Sequence, residues 1–263
     1  MVDLSDPELA ELVASSMDAE AELLPVLPEL FADLEDLGAR ADDVLAVLAH
    51  AKLPAHARGL DLGCGKGSAA LAVAESFGVE MHGIDAVPAF VEHASTRARA
   101  RGLSSRCSFA SGDVRARVAE GGDYDLVMML ALGDVLGNTE QTVAALRRCV
   151  RPGGYILLDD AFLAEDADAE ELELLDCLDH AATLAALGAH DDVLIHERVI
   201  DGPEDRAFYS AMTRSIAERC KRLAPLHPDL SNTINAFAQR QQQEVDLLSG
   251  PVVGAMWLLQ RKR

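Results

Sequence analysis

Basic residues are scarce in this chain and missing from two long stretches. The 263 residues hold 23 Lys and Arg against 44 Asp and Glu, a formal net charge of −21. No Lys or Arg precedes Arg40, and none lies between Arg151 and Arg198. Such acidic tracts repel phosphate backbones and anionic headgroups, which argues against nucleic acid or a membrane surface as partner. The charge reads as a solubility device or an adaptation to high salt rather than as a docking surface. Cysteine pairs are missing too. Cys64, Cys107, Cys149, Cys177 and Cys220 are odd in number and form no C-x-x-C, so reduced thiols and no structural zinc are expected. No apolar run reaches membrane-spanning length. Met1 is followed by acidic residues rather than a basic stretch and an apolar run, which argues against a secretory signal. A cytoplasmic protein is the expectation.

What the chain has is an apolar fraction of 49%, enough for one large domain or a domain with an added cap. Residues 1 to about 57 read as helical. Ser5-Asp6-Pro7-Glu8 starts one helix, and Leu9, Leu12, Val13 and Met17 recur at helical spacing. Pro25 and Pro28 interrupt the pattern. Leu30, Phe31, Leu34 and Leu37 predict a second helix ended by Gly38, and Asp42 or Asp43 opens a third. From Arg58 the texture alternates. Strands are expected at Gly59–Leu62, Glu80–Ile84, Ser105–Ala110, Tyr124–Leu130 and Tyr155–Leu158, with amphipathic segments at 67–77, 88–101 and 138–150. That alternation predicts a parallel sheet with helices on both faces. An acidic helix over about Asp168 to Leu187, a sixth strand at Val193–Ile200, two helices within 203–249 and a last strand at Val252–Gln260 complete the reading.

The glycine-rich stretch Asp61-Leu62-Gly63-Cys64-Gly65-Lys66-Gly67 ends the first strand. Glycines at alternate positions let backbone approach a ligand, and the following helix start offers free N–H groups. A dinucleotide fingerprint G-x-G-x-x-G needs its third glycine at Ser68, and Gly67 arrives one residue early, which disfavours a nicotinamide dehydrogenase. A P-loop is excluded because Gly67, not Ser or Thr, follows Lys66, and Leu60 stands where its first glycine belongs. Gly83-Ile84-Asp85 ends the second strand with a carboxylate able to accept from vicinal ribose hydroxyls; an N-cap for the helix at Pro88 is the plainer alternative. Gly112-Asp113-Val114 follows the third strand, with a turn as the alternative role of Asp113. Arg151-Pro152-Gly153-Gly154 reads as a turn feeding the fifth.

Asp-x-Gly-x-Gly-x-Gly, the strand-end Asp85, Asp113 and the Pro-Gly-Gly turn occur over residues 58–162 in an order that resembles the class I S-adenosylmethionine-dependent methyltransferases. The resemblance implies a doubly wound, mostly parallel, seven-stranded Rossmann-like α/β sheet. It also implies a helical cap at 1–57, a core of 58–202 and 250–263, and a helical insert at 203–249. Asp61, Gly63, Gly65 and Gly67 would then surround the amino-acid part of S-adenosylmethionine. Asp85 would hold the ribose and Ala86 border the adenine. Asp113 and Val114 would meet the adenine edge, and Leu130 and Ala131 lie near the sulfonium. The implied activity is methyl transfer to a small-molecule acceptor, with S-adenosylhomocysteine as product; a non-catalytic binder of either molecule is the alternative. Asp134 is the first candidate base, ahead of Asp160, His180, Tyr209 and His227. Asp159-Asp160 invites a metal, but where magnesium-dependent catechol-type methyltransferases place Asn after the strand-five Asp and a further Asp after strand four, this chain has Ala161 and Ala131; a hard cation wants several converging oxygens, so no metal is expected.

Overall fold

Leu126, Val127, Met128 and Met129 are all buried in β4 (Tyr124–Leu130), as a strand covered on both faces requires. The computed structural model describes residues 4–165, 167 and 177–263. Around β4 the chain builds a seven-stranded sheet in the order β3-β2-β1-β4-β5-β7-β6. The other strands are β1 (Arg58–Leu62), β2 (Glu80–Asp85), β3 (Cys107–Ser111), β5 (Val150–Leu163), β6 (Val193–Ile200) and β7 (Val252–Gln260). β1 to β5 pair in parallel, and β7 runs antiparallel between β5 and β6. The first strand therefore lies between β2 and β4, where the order reverses and a crevice opens beyond the strand ends.

Helices cover both faces. α3 (Ala41–Leu48), α4 (Ser68–Phe77) and α5 (Pro88–Ala100) enclose one core with Leu126, Met128, Leu157 and Met256. α6 (Val114–Glu120), α7 (Thr139–Leu146) and α8 (His180–Leu187) enclose the other with Leu60, Val127, Ile156 and Trp257. Strand alternation explains the division, because successive β4 and β5 residues fall in opposite cores. The helix expected from Asp168 is described from His180 onward; residues 168–176 of that expectation lie outside the described residues.

A third apolar cluster stands above the strand ends. It joins α1 (Pro7–Ser15) and α2 (Leu27–Leu30) to α9 (Pro203–Leu223) and α10 (Ser231–Leu248). Phe31 lies edge-on to Phe237 at 5.8 Å and to Phe90 of α5 at 6.3 Å, so the cluster also grips the sheet domain. No described helix is long and apolar enough to cross a membrane.

Three local expectations are corrected. The helix expected through Leu37 stops at Leu30. The Lys66 ammonium takes the carbonyls of Phe31 (2.8 Å) and Leu34 (2.6 Å), and Leu37 lies against Gly65, so this segment crosses the glycine loop instead of coiling. Arg151–Gly154 is not a separate turn but a bulge inside β5. Val150 pairs with Tyr124 and Tyr155 with Leu126, leaving four residues on one side against a single residue on the other. A helix, α6, follows Asp113, where no helix was expected.

Phe237 is completely buried at the centre of the upper cluster. Phe237→Ala is expected to cost about 3–5 kcal/mol, measured by denaturant unfolding of the whole chain.

Candidate functional site

A cavity of about 550 Å³ opens over the carboxyl ends of β1, β2, β4 and β5. Its walls come from every layer: the glycine loop, α1, residues 35–39, α9 and α10. Its volume is in the range of small-molecule sites.

The glycine loop forms one wall. Gly63, Gly65 and Gly67 have φ of 72°, 49° and 76°, in the left-handed region that disfavours other residues. Amides of Gly63 and Cys64 donate to the Ile84 carbonyl at 2.8 and 3.0 Å. Asp85 then straps the loop. Its Oδ2 accepts from the Gly65 amide and its Oδ1 from the Val87 amide, both at 2.8 Å. A carboxylate has about four lone-pair sites, so two remain for a ligand. Gly63 and Gly65 line the cavity; Gly67 does not. A Cβ on Gly67 would stand 2.8 Å from the Ala94 Cβ and 3.0 Å from the Phe109 ring, so Gly67 serves close packing and the start of α4. Lys66 is buried and turned away from the cavity centre toward carbonyls of the 31–34 segment; burial lowers its pKa.

Asp61 stands inside. It is 2% exposed, and its Oδ2 is buried without a hydrogen-bond partner. An orphaned buried oxygen of this kind calls for a donor. Burial, helped by the charge of Asp85, raises Asp61 to about 7; burial raises Asp85 to about 6 against the pull of its two amide donors. The same surroundings push the Cys64 thiol upward, so it is not a thiolate nucleophile at neutral pH.

Ala86, Asp113, Val114, Leu130, Ala131 and Asp134 all line the cavity. Asp113 caps α6 through the Arg115 amide at 2.8 Å and holds the Arg115 guanidinium at 2.9 Å, so much of its accepting capacity is taken by the protein. Ala131 is held at φ 49°, an uncommon conformation for a residue with a Cβ. Gly38 permits it, because a Cβ there would stand 2.5 Å from the Ala131 Cβ. Gly38, expected as a helix stop, is thus a point of close approach to the end of β4.

The candidate bases separate. Asp134, Asp160 and Tyr209 reach the cavity; His180 and His227 do not. His180 bonds Glu197 at 2.8 Å, which also accepts from the Trp257 indole at 2.6 Å. That pairing lies beside Phe162 in the other core. Asp160 accepts the Ala161 amide at 2.9 Å.

Asp159 was visible in the sequence only as half of a metal-like pair. It is 7% exposed, lines the cavity, and is raised to about 8 by burial and by the charges of Asp160 and Asp43. A rim network gave no sequence signal at all. Arg198 donates to Asp43 at 2.7 Å and Asp205 at 2.9 Å, while Arg40 holds Asp43 at 2.6 Å and also pairs with Asp205. It fastens α3, β6 and α9 together across long sequence separations.

Comparison with known proteins agrees with this geometry. Residues 60–154 match a family described as a methyltransferase domain. Over 99 residues, 38% of this chain, the sequence is 31% identical to a probable chloroplastic tocopherol O-methyltransferase of Oryza sativa subsp. japonica, covering 27% of that protein. It is also 31% identical over 99 residues to norajmaline N-methyltransferase of Rauvolfia serpentina, covering 34% of it. The chain thus spans about a third of the length of these curated relatives. The fold superposes on the crystal structure of a SAM-dependent methyltransferase from Thiobacillus denitrificans in complex with S-adenosyl-L-homocysteine. The TM-score is 0.76 at 19% identity, covering 90% of this chain and 98% of that one. Residues 60–154 are thus similar to a methyltransferase domain, and the 3-2-1-4-5-7-6 sheet has the fold of that solved SAM-dependent methyltransferase.

Proposed function

We propose that this protein binds S-adenosylmethionine in the cavity and transfers its methyl group to a small-molecule acceptor. The observation that carries the reading is the continuity of the cavity from Asp85, past the glycine loop and Leu130, to Asp134, Asp159 and Tyr209. A protein that only bound the cofactor would need no open chamber beyond Leu130. The residues fit the cofactor. Asp85 keeps two accepting sites for ribose hydroxyls, and the orphaned Asp61 oxygen would accept from the α-ammonium of the amino-acid part. Gly63 and Gly65 let the chain pass close to it, Ala86 and Val114 would border the adenine, and Asp113 reaches its edge. When bound, S-adenosylmethionine supplies an electrophilic methyl on a sulfonium, which in-line displacement passes to a nucleophile while the carbon–sulfur electron pair stays with sulfur.

The chain's own task is alignment and exclusion of water. Helices within 1–57 and 203–249 would act as the cap that shapes the acceptor chamber, since Leu12, Met212 and Glu244 come from them. Asp134 would border the reacting centre from the loop after β4.

In excess, S-adenosylmethionine and S-adenosylhomocysteine are expected to stabilise the protein and NAD is not; a hundredfold excess over the dissociation constant adds about 2.7 kcal/mol. Thermal melts with each ligand check this, and stabilisation by NAD alone would overturn it. Asp85→Ala is expected to weaken S-adenosylhomocysteine roughly 100-fold by calorimetric titration, the loss of two hydrogen bonds to a charged acceptor.

Asp61, Asp85 and Asp159 hold protons up to about 7, 6 and 8 in the fold, whereas carboxyls of an unfolded chain titrate near about 4. Between these values the native state binds more protons than the unfolded state, so stability falls as pH rises. The contribution is complete below about pH 4 and lost as pH passes 8. Melting temperature of the ligand-free protein is expected to drop between about pH 5 and 8.5, and less steeply in Asp159→Asn. A flat or rising profile would contradict the assignment.

A further inference from the structure

The acceptor end of the cavity has a chemistry of its own. Asp61, Met128 and Leu157 lie in register across β1, β4 and β5. Two residues on, Leu130 pairs with Asp159, so strand alternation sets Asp159 on the same sheet face as Asp61, two strands away. Asp159 is more than nine-tenths buried and lines the cavity, and its carboxyl accepts no hydrogen bond among the described residues. The charges that act on it are those of Asp160, next to it on its own strand, and Asp43 from α3, and its own charge acts on Tyr209 from α9. Arg40 and Arg198 are engaged with Asp43 and Asp205 instead. Tyr209 is held protonated by burial and by the Asp159 charge, which raise its pKa. Met212 and Leu248 add apolar wall, and Lys66, turned to backbone carbonyls, is the one Lys or Arg among the described lining residues.

Resting on the methyltransferase reading, we infer that the acceptor is a small amine that enters as its ammonium, docks on the Asp159 carboxylate beneath Tyr209, and gives Asp159 its proton before methyl transfer. An anionic acceptor meets no free cation there. A neutral hydroxyl acceptor brings no charge to Asp159, which then stays a protonated acid, because burying it as an unpaired carboxylate is costly. An ammonium neutralises it, and the apolar wall takes the carbon substituent. In the proton step one N–H bond breaks and one O–H bond forms, the lone pair remaining on nitrogen. That nitrogen is then the nucleophile for the sulfonium methyl, and charge is conserved because ammonium and carboxylate become amine and carboxylic acid. Burial favours this exchange, since it disfavours both ions; the raised Asp159 pKa belongs to the same effect.

The test uses the whole chain saturated with S-adenosylhomocysteine, whose neutral sulfur leaves Asp159 without a sulfonium partner. Methylamine, dimethylamine and benzylamine are titrated beside methanol, dimethyl ether and benzyl alcohol by calorimetry. At least one amine is expected to bind 10-fold or more tighter than its neutral counterpart. Asp159→Asn is expected to lose about 30-fold of that amine affinity while keeping S-adenosylhomocysteine affinity, and Tyr209→Phe to lose less. Equal binding of every amine and its counterpart overturns the inference, without needing any variant to fold. So does an Asp159→Asn protein that binds amine normally but loses S-adenosylmethionine selectively, because Asp159 would then serve the sulfonium. Failure of S-adenosylhomocysteine to bind at all overturns the cofactor reading instead.

Discussion

The carboxyl edge of the sheet holds more buried negative charge than the fold neutralises. Asp61, Asp85 and Asp159 stand in one cavity at 2, 9 and 7% exposure, and no guanidinium or ammonium pairs with any of them among the described residues. Buried like charges in low dielectric cannot all ionise freely, so the ligand-free site keeps some of its carboxyls protonated near neutrality. The arrangement is stable as a protein only because the cost is divided. Asp85 is supported by two amides, while Asp61 and Asp159 retain their protons more readily. What would relieve the site is positive charge brought from outside.

Several of the scarce cations are committed elsewhere, and where they go explains how the upper helices are held. Lys66 clasps the 31–34 segment over the glycine loop, Arg97 joins Glu35 at 2.9 Å, and Arg219 and Arg222 reach Asp33. Arg40 and Arg198 fasten α3 and β6 to α9 through Asp43 and Asp205. The positive charge of the rim thus anchors helices over the cavity, and the apolar cluster around Phe31 and Phe237 completes their attachment. The anionic interior and the cationic fastenings are two sides of one distribution.

The sheet was legible because its signals are local. Apolar strands such as Tyr124–Leu130 and Val252–Gln260 are bounded by glycine, proline or charge within a few residues, and their limits match the structure. The glycine loop and Asp85 were legible for the same reason: each sits at the end of a strand that periodicity locates. The misreadings share a different cause. Leu30–Leu37 has helical spacing, yet Lys66, more than thirty residues on, takes its carbonyls. Gly67 belongs to the motif, and a Cβ there would also meet Ala94 and Phe109, neighbours that the motif does not announce. Pro152-Gly153-Gly154 has turn residues, but Gly153 bonds the Arg261 carbonyl at 2.8 Å and stays within the sheet edge.

The pair Asp159-Asp160 makes the limit concrete. In sequence, adjacent carboxylates suggest convergence on one ion. In a strand they diverge, because successive side chains point to opposite faces. Asp159 feels the charge of Asp43 and acts on Tyr209, while Asp160 feels that of Asp134. Each therefore belongs to a set assembled from distant segments, and the meaning of Asp159 depends on residues 116 positions before it and 50 after it. A loop written in consecutive residues and a carboxyl set written across the whole chain obey the same physics. They differ in how far along the chain the relevant neighbours lie, which is why the glycine loop was readable as a motif and the surroundings of Asp159 were not.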